Sequence, residues 1–134
     1  MKINAESCPF RLDSRLITIL ENEIVKASVP DNVPVVLNFR DPSYDAETGG
    51  FHPVEIRVSA AGSLVYVTDF SFVGAGPYAE LCKELDFDFG LRVFQSFGKE
   101  WSIEAGAEVF QAWQENFISY YEMGVYQVSV EAQD

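Results

Sequence analysis

The sequence predicts an α+β fold: one domain over residues 1–134, with a mainly antiparallel sheet of about five strands, two longer helices on one face and one short helix. Three observations carry that prediction. Apolar residues recur at helical spacing after Asp13, several later segments alternate apolar and polar with the period of a strand, and an aromatic stripe returns to helical spacing beyond Ser102.

The first helix is read from Leu16, Leu20, Ile24 and Ala27, with Glu21, Glu23 and Lys26 on other faces. Asp13 or Ser14 suits its N-cap, whose side-chain oxygen accepts an otherwise unpaired N–H of the first turn, and Pro30 stops it. Asp31 and Asn32 turn the chain into residues 34–39, where Val35, Val36 and Leu37 predict a strand buried on both faces. Residues 53–60 alternate Val54, Ile56 and Val58 with Glu55, Arg57 and Ser59, a half-exposed strand. A short connection at Ala61, Gly62 and Ser63 leads into a return strand over residues 64–72, apolar enough to be central.

Gly74, Ala75, Gly76 and Pro77 break that strand. Pro77 lacks an N–H that the first turn of a helix would leave unpaired, so a short helix is expected from Pro77 to about Leu85. Leu85, Phe87, Phe89 and Leu91 then share one strand phase and Asp86, Asp88 and Arg92 the other, with the strand continuing through Val93 to Phe97. Gly98, Lys99 and Glu100 are expected to turn, and Ser102 to cap the last helix, with Glu104 favourably placed near the positive end of its dipole. Phe110, Trp113, Phe117 and Tyr120 form that helix's buried stripe, Gly124 ends it, and residues 125–132 close the sheet as a last strand.

Composition narrows the function classes. Nine basic residues against 21 acidic ones, a net charge of −12, oppose a phosphate-binding surface, because lysines and arginines supply nucleic-acid affinity by displacing counterions. The same excess is repelled by anionic head groups, and no apolar run approaches the roughly 18 residues of a membrane span. Neither nucleic acid nor membrane is an expected partner. The first residues lack the apolar segment of a secretory signal, and Cys8 and Cys82 suit neither a disulfide framework nor a zinc motif. A cytoplasmic protein with reduced thiols is the expectation.

Residues 38–57 hold the densest mixture of charge, aromatic rings and backbone-permissive residues. The run leaves one strand, passes through Gly49 and Gly50, and enters the next strand beside His52, the only histidine. Loops on a rigid scaffold are where recognition surfaces concentrate. Arg40, Asp41, Tyr44, Phe51 and His52 are the candidate interaction residues.

Several motifs carry a resemblance: Leu37-Asn-Phe-Arg-Asp-Pro-Ser-Tyr44, Gly49-Gly-Phe-His-Pro-Val-Glu-Ile56, Thr68-Asp-Phe-Ser-Phe-Val-Gly-Ala-Gly-Pro77, Asp86-Phe-Asp-Phe89 and Gly124-Val-Tyr126. Together they resemble the bacterial domain-of-unknown-function family numbered 2787, found in proteobacteria and partly on mobile elements. The likeness spans nearly the whole chain and implies a single domain, but no activity.

Each motif has a plainer reading beside its functional one. His52 titrates near neutral pH with Asp41, Asp45 and Glu47 close in sequence, the material of a general base or metal ligand. Beside Pro53, and without the partner spacing of a metal or acid–base site, it reads as a hydrogen-bonded structural residue. Asp69, Asp86 and Asp88 share a phase on two strands and would gather as oxygen ligands if those strands paired; the plainer reading is a solvated strand face. Gly74 to Ala79 satisfies G-x-G-x-x-A, but Pro77 removes an N–H that a pyrophosphate would use and no ribose-binding acid follows on a parallel strand. Ser43, Ser59, Ser71 and Cys82 lack nucleophile wording, and the phenylalanine and tryptophan sets read as core.

No cofactor and no metal site is expected. The leading functional expectation is a non-enzymatic accessory protein that binds another protein through the loop from Arg40 to His52 and the adjoining acidic surface. A small hydrolase or metal-dependent enzyme using His52 with Asp41 or Asp69 is the alternative, and an acidic mimic of nucleic acid is a third. The charge balance yields a direct expectation: double-stranded DNA is not bound at physiological salt, and a salt-sensitive gel shift at micromolar protein would contradict it.

Overall fold

Strand pairing follows from the alternating segments, and it reaches further than the sequence suggests. The computed structural model describes residues 1–133. Its strands are β1 (Val35–Arg40), β2 (Val54–Val58), β3 (Leu64–Val73), β4 (Glu80–Asp88), β5 (Val93–Ser96), β6 (Lys99–Ser102) and β7 (Gln127–Ala132). All are antiparallel to their neighbours in one seven-stranded sheet of order β6-β5-β4-β3-β2-β1-β7, which makes β3 central as expected. Two helices, α1 (Ser14–Lys26) and α2 (Ala107–Glu122), cover one face.

Register decides which side chains meet them. Leu37 opposes Ile56, Ile56 opposes Val67, Val67 opposes Phe87 and Phe87 opposes Phe94, a cross-strand layer through five strands that all point to the helices. Leu16, Ile19, Leu20 and Ile24 of α1, with Phe110, Trp113, Phe117 and Ile118 of α2, pack onto that layer in a single cluster. Phe87 is fully buried and meets Phe110 edge-on at 5.1 Å. The other face is polar: Tyr66 donates its hydroxyl proton to Glu55, and Thr68 Oγ1 donates to Asp86 at 2.8 Å.

The helix ends follow the expected chemistry except at Ser102. Asp13 accepts from the Arg15 N–H at 2.8 Å as the N-cap of α1. Ser102 precedes a single 3₁₀ turn, Ile103–Gly106, without capping it through its side chain, and α2 starts after that turn. Gly124 takes φ +76° just beyond α2, the left-handed conformation a helix end asks for.

Three corrections take the strand count from about five to seven. The single strand expected from Leu85 through Val93 to Phe97 turns back between Asp88 and Val93, with Arg92 at φ +59°, and pairs with itself as β4 and β5. The short helix from Pro77 is only a 3₁₀ turn, Gly76–Tyr78, and residues assigned to it form the first half of β4. The reason is tertiary: β3 runs to Val73 with an open edge, and Leu81 and Glu80 pair with Phe72 and Val73 to satisfy it. Likewise Lys99 and Glu100 are strand rather than turn, because the chain reverses at Phe97 and Gly98, both with positive φ, in the two-residue hairpin that pairs Ser96 with Lys99.

No helix among the described residues is long and apolar enough to cross a membrane. Cys8 and Cys82 are both half-buried free thiols. Because Phe87 joins sheet to helix at the centre of the aromatic layer, Phe87→Ala should cost about 3–5 kcal/mol, whereas Leu91→Ala, 76% exposed, should stay within about 0.5 kcal/mol; urea unfolding of both variants checks this.

Candidate functional site

The loop of residues 41–53 joins β1 to β2 and is held by its own polar residues. Asp41 Oδ1 accepts from the Ser43 N–H and hydroxyl at 2.9 and 2.7 Å, while its Oδ2 accepts from the Phe51 N–H at 3.0 Å. Those donors, the Phe51 amide first, hold the Asp41 carboxyl below the usual carboxylate range. Asp45 accepts from the Glu47 and Thr48 amides and the Thr48 hydroxyl, closing a second small turn. Gly50 is required where the two ends meet: at φ +138°, a Cβ there would lie 2.9 Å from both Asp41 Oδ2 and Tyr44 Cα.

Tyr44 fastens the loop to the sheet. The Phe70 N–H donates to the Pro53 carbonyl at 2.9 Å, the last backbone rung before β2 gives out. Two residues on, the Phe72 N–H donates to the Tyr44 hydroxyl at 3.0 Å, so a side-chain oxygen continues the ladder where the strand has ended. The Tyr44 ring also lies 5.1 Å from Phe72 and 5.5 Å from the His52 imidazole.

His52 therefore arrives at a defined place, beside β3. Its Nδ1 lies 2.9 Å from Asp69 Oδ1 and 3.8 Å from Glu84 Oε2. With an ionised carboxylate opposite, Nδ1 carries the proton and donates it. The second Asp69 oxygen accepts from the Trp113 indole N–H at 3.2 Å, tying the carboxylate to α2. Asp69 is 9% exposed and both its oxygens are paired.

Glu84 reaches the group through a bulge. Asp69 opposes Leu85, but the next residue, Phe70, opposes Lys83, so Glu84 is the extra residue on β4. A bulge re-aims a side chain against the normal alternation. Lys83 and Asp86 stay on the outer face, where Lys83 Nζ lies 3.6 Å from Asp86 Oδ2, while Glu84 turns inward beside Leu85.

These three residues sit at the floor of an open cleft of about 420 Å³ between the loop and α2. Phe51, Trp113, Tyr120 and Tyr126 contribute aromatic walls, and Asn116 an amide. Phe51 packs on Tyr120 at 4.6 Å. Burial, and then the Asp69 charge, push the Tyr126 hydroxyl well above its ordinary pKa, keeping it a neutral donor.

The structure brings together part of what the sequence singled out. His52 meets Asp69 and Tyr44, and Phe51 walls the cleft; Arg40 is exposed at the end of β1, and Asp41 spends its carboxylate inside the loop. Asp86 and Asp88 do not join Asp69, because Thr68 opposes Asp86 and Asp69 opposes Leu85, which sets them on opposite faces of the sheet. The three carboxylates therefore do not gather, and the cation-site reading of them falls. Glu84, Trp113, Tyr120 and Tyr126 were not singled out as site residues, and only the aromatic stripe signalled two of them.

The chain falls in a class of bacterial proteins of unknown function. The family model described as "Protein of unknown function (DUF2787)" matches residues 14–131, and the chain belongs to that family, the one its motifs resemble. The hypothetical protein VC0508 from the Vibrio cholerae VSP-II pathogenicity island has a solved structure with TM-score 0.80 and 32% identity, covering 97% of this chain and 99% of that one. The conserved hypothetical protein VC1805 from pathogenicity island VPI-2 of Vibrio cholerae O1 biovar eltor str. N16961 matches at TM-score 0.77 and 33% identity, covering 90% and 94%; that protein is described as sharing structural homology with the human P32 protein. Among curated proteins none matches.

The hydrogen bond to Asp69 raises the His52 pKa above its ordinary value of 6.5, burial opposes it, and the charges of Asp69 and Glu84 add to the rise. A raised folded-state pKa means that the pair's contribution to stability is complete below about pH 6.5 and fades as pH climbs through the folded value. Since His52 is the only histidine, one imidazole resonance reports it. Its titration midpoint should lie above 6.5 in the wild type and fall in Asp69→Asn.

Proposed function

We propose that this chain is a non-enzymatic cytoplasmic accessory domain that binds a protein partner through the loop of residues 40–52 and the aromatic cleft beside it. One observation carries the reading: a loop longer than a hairpin needs is braced at Asp41, Tyr44 and Asp45, yet it leaves an open, aromatic-walled concavity at its base. A connection with no duty beyond joining β1 to β2 has no use for that bracing. Pre-ordering a loop lowers the entropy lost when a partner binds, and Tyr, Trp and Arg are the side chains that anchor interfaces. Arg40 stands exposed at the rim, with Phe51, Trp113 and Tyr120 inside it.

The enzymatic alternative draws support from the convergence of His52, Asp69 and Glu84. No serine, threonine or cysteine lines the cleft, so the covalent serine- or cysteine-type route gains no support there. The acidic-mimic reading gains nothing from the arrangement: Asp69 and Glu84 face the helices, Asp86 and Asp88 face away, and further acids lie along both helices.

Tyr44 is a poor probe of the proposed surface, because removing its hydroxyl orphans the Phe72 N–H at a cost of about 1 kcal/mol or more. Arg40 and Asn116 are exposed and serve better. The double variant Arg40→Ala, Asn116→Arg should melt within a few degrees of the wild type, yet lose a partner that wild-type bait captures from the source organism and that rebinds as a purified protein. Equal affinity of that purified partner for both baits would refute the reading.

A further inference from the structure

Donors of two chemical kinds meet at the floor of the cleft, and each is delivered by a different stretch of backbone. His52 comes from the loop, Asp69 from the central strand β3, and Glu84 from the β4 bulge; one donor atom from each lies within 4.8 Å of the other two. Such a meeting is not an ordinary surface cluster of acids. It needs a loop tied down at Tyr44, a carboxylate held inside the fold and a strand irregularity, all at one point.

We propose that His52 Nδ1, a carboxylate oxygen of Asp69 and Glu84 Oε2 form a three-ligand site for a divalent transition-metal ion of the zinc type, with its remaining coordination open to the cleft. In a tetrahedral shell with bonds of about 2.0–2.1 Å, neighbouring donors stand about 3.3 Å apart. The separations from His52 Nδ1, 2.9 Å to Asp69 and 3.8 Å to Glu84, lie on either side of that value. Equalising these two takes adjustments of about 0.5 Å, and the Asp69–Glu84 pair, within 4.8 Å, closes by up to about 1.5 Å, which rotation of the partly exposed His52 and Glu84 side chains supplies.

Donor chemistry selects the ion. One imidazole nitrogen with two carboxylates suits zinc, iron or cobalt, whereas calcium takes 6–8 oxygen ligands and magnesium holds to oxygen and water. The ion replaces the proton that Nδ1 shares with Asp69: in the neutral ring that proton moves to Nε2, and from the imidazolium one proton is released to solvent. The resulting neutral imidazole and two carboxylates bring a charge of −2, which a divalent ion cancels at a partly buried spot. Ligands of working metal sites are oriented by outer hydrogen bonds, and Asp69 already has one: its Oδ2 is fixed by the Trp113 indole at 3.2 Å. Three protein ligands and an open position characterise sites at which zinc takes an exchangeable fourth ligand, here water or an oxygen or nitrogen donor from a bound molecule. The ion would link loop, central strand and β4 without being needed for folding, since the core cluster is complete without it. The inference does not depend on the partner-binding reading.

The test uses the full chain stripped with chelator. Zn²⁺ is titrated by calorimetry, Co²⁺ by visible absorption, and the lone histidine resonance is followed during both. The expected result is one ion per chain, a shift or broadening of the His52 signal, and a Co²⁺ spectrum of four- or five-coordinate intensity. Glu84→Gln and His52→Ala should each weaken Zn²⁺ binding roughly tenfold or more, while Glu131→Gln on β7 and Cys82→Ser leave it unchanged. Glu84→Gln changes a partly exposed side chain outside the Asp69 hydrogen bonds, so it decides the matter even if His52→Ala folds poorly. Absence of stoichiometric binding below millimolar Zn²⁺, binding indifferent to Glu84→Gln, or binding lost in Cys82→Ser would each overturn the proposal.

Discussion

Asp69 is the constraint on which the rest depends. A carboxylate on the inner face of a central strand must be paired, because an isolated buried charge costs several kcal/mol. The pairing comes from two directions: His52 from the loop and Trp113 from α2. Loop and helix are thereby fixed to the same atom group of β3, and the space between them becomes a cleft of set width. Had position 69 been apolar, like the neighbouring inner positions, loop and helix could have closed onto the sheet as ordinary core. The charge keeps that end of the aromatic layer open.

The β4 bulge belongs to the same arrangement. Without the bulge, strict alternation from Leu85 would set Glu84 on the outer face with Asp86 and turn Lys83 inward. The bulge brings a second acid to the inner face where Asp69 already stands, which is unfavourable for a fold seeking only stability. His52 offsets it, with a proton shared toward Asp69 and a distance of 3.8 Å to Glu84. Local arrangements that cost stability and persist are often found at functional positions.

How much of this was legible follows from which interactions are local. The β2–β3 hairpin, the α1 cap at Asp13, and the α2 stripe from Phe110 to Tyr120 all declare themselves within one segment, and they stand as read. β4 was misread because Pro77 and its neighbours carry a helix-start signal, while the open edge of β3 that recruits residues 80–88 is a demand made from elsewhere in the chain. The site divides in the same way. His52 and its loop stood out by residue type and by length. Which acid would meet His52 did not, because phase within a strand says nothing about register between strands: Asp69, Asp86 and Asp88 look equivalent until Asp69 is set against Leu85. Glu84 was beyond reach, since a bulge leaves no mark in a sequence that reads well in either register.

The aromatic layer finally explains why core and site cannot be separated here. Along α2 the stripe begins with Phe110, fully buried against Phe87, passes through Trp113 and Phe117, stacked at 5.0 Å, and ends at Tyr120 on the cleft wall against Phe51. Trp113 belongs to both parts: its ring packs in the core and its N–H holds Asp69. Packing at the centre of the domain therefore sets the orientation of a carboxylate at its rim. A substitution at Phe110 or Phe87, neither of which lines the cleft, would act on it through Trp113, which both rings touch. The site draws its rigidity from the same rings that hold the domain folded, which is why so small a chain can keep a charged, open floor beside a continuous apolar core.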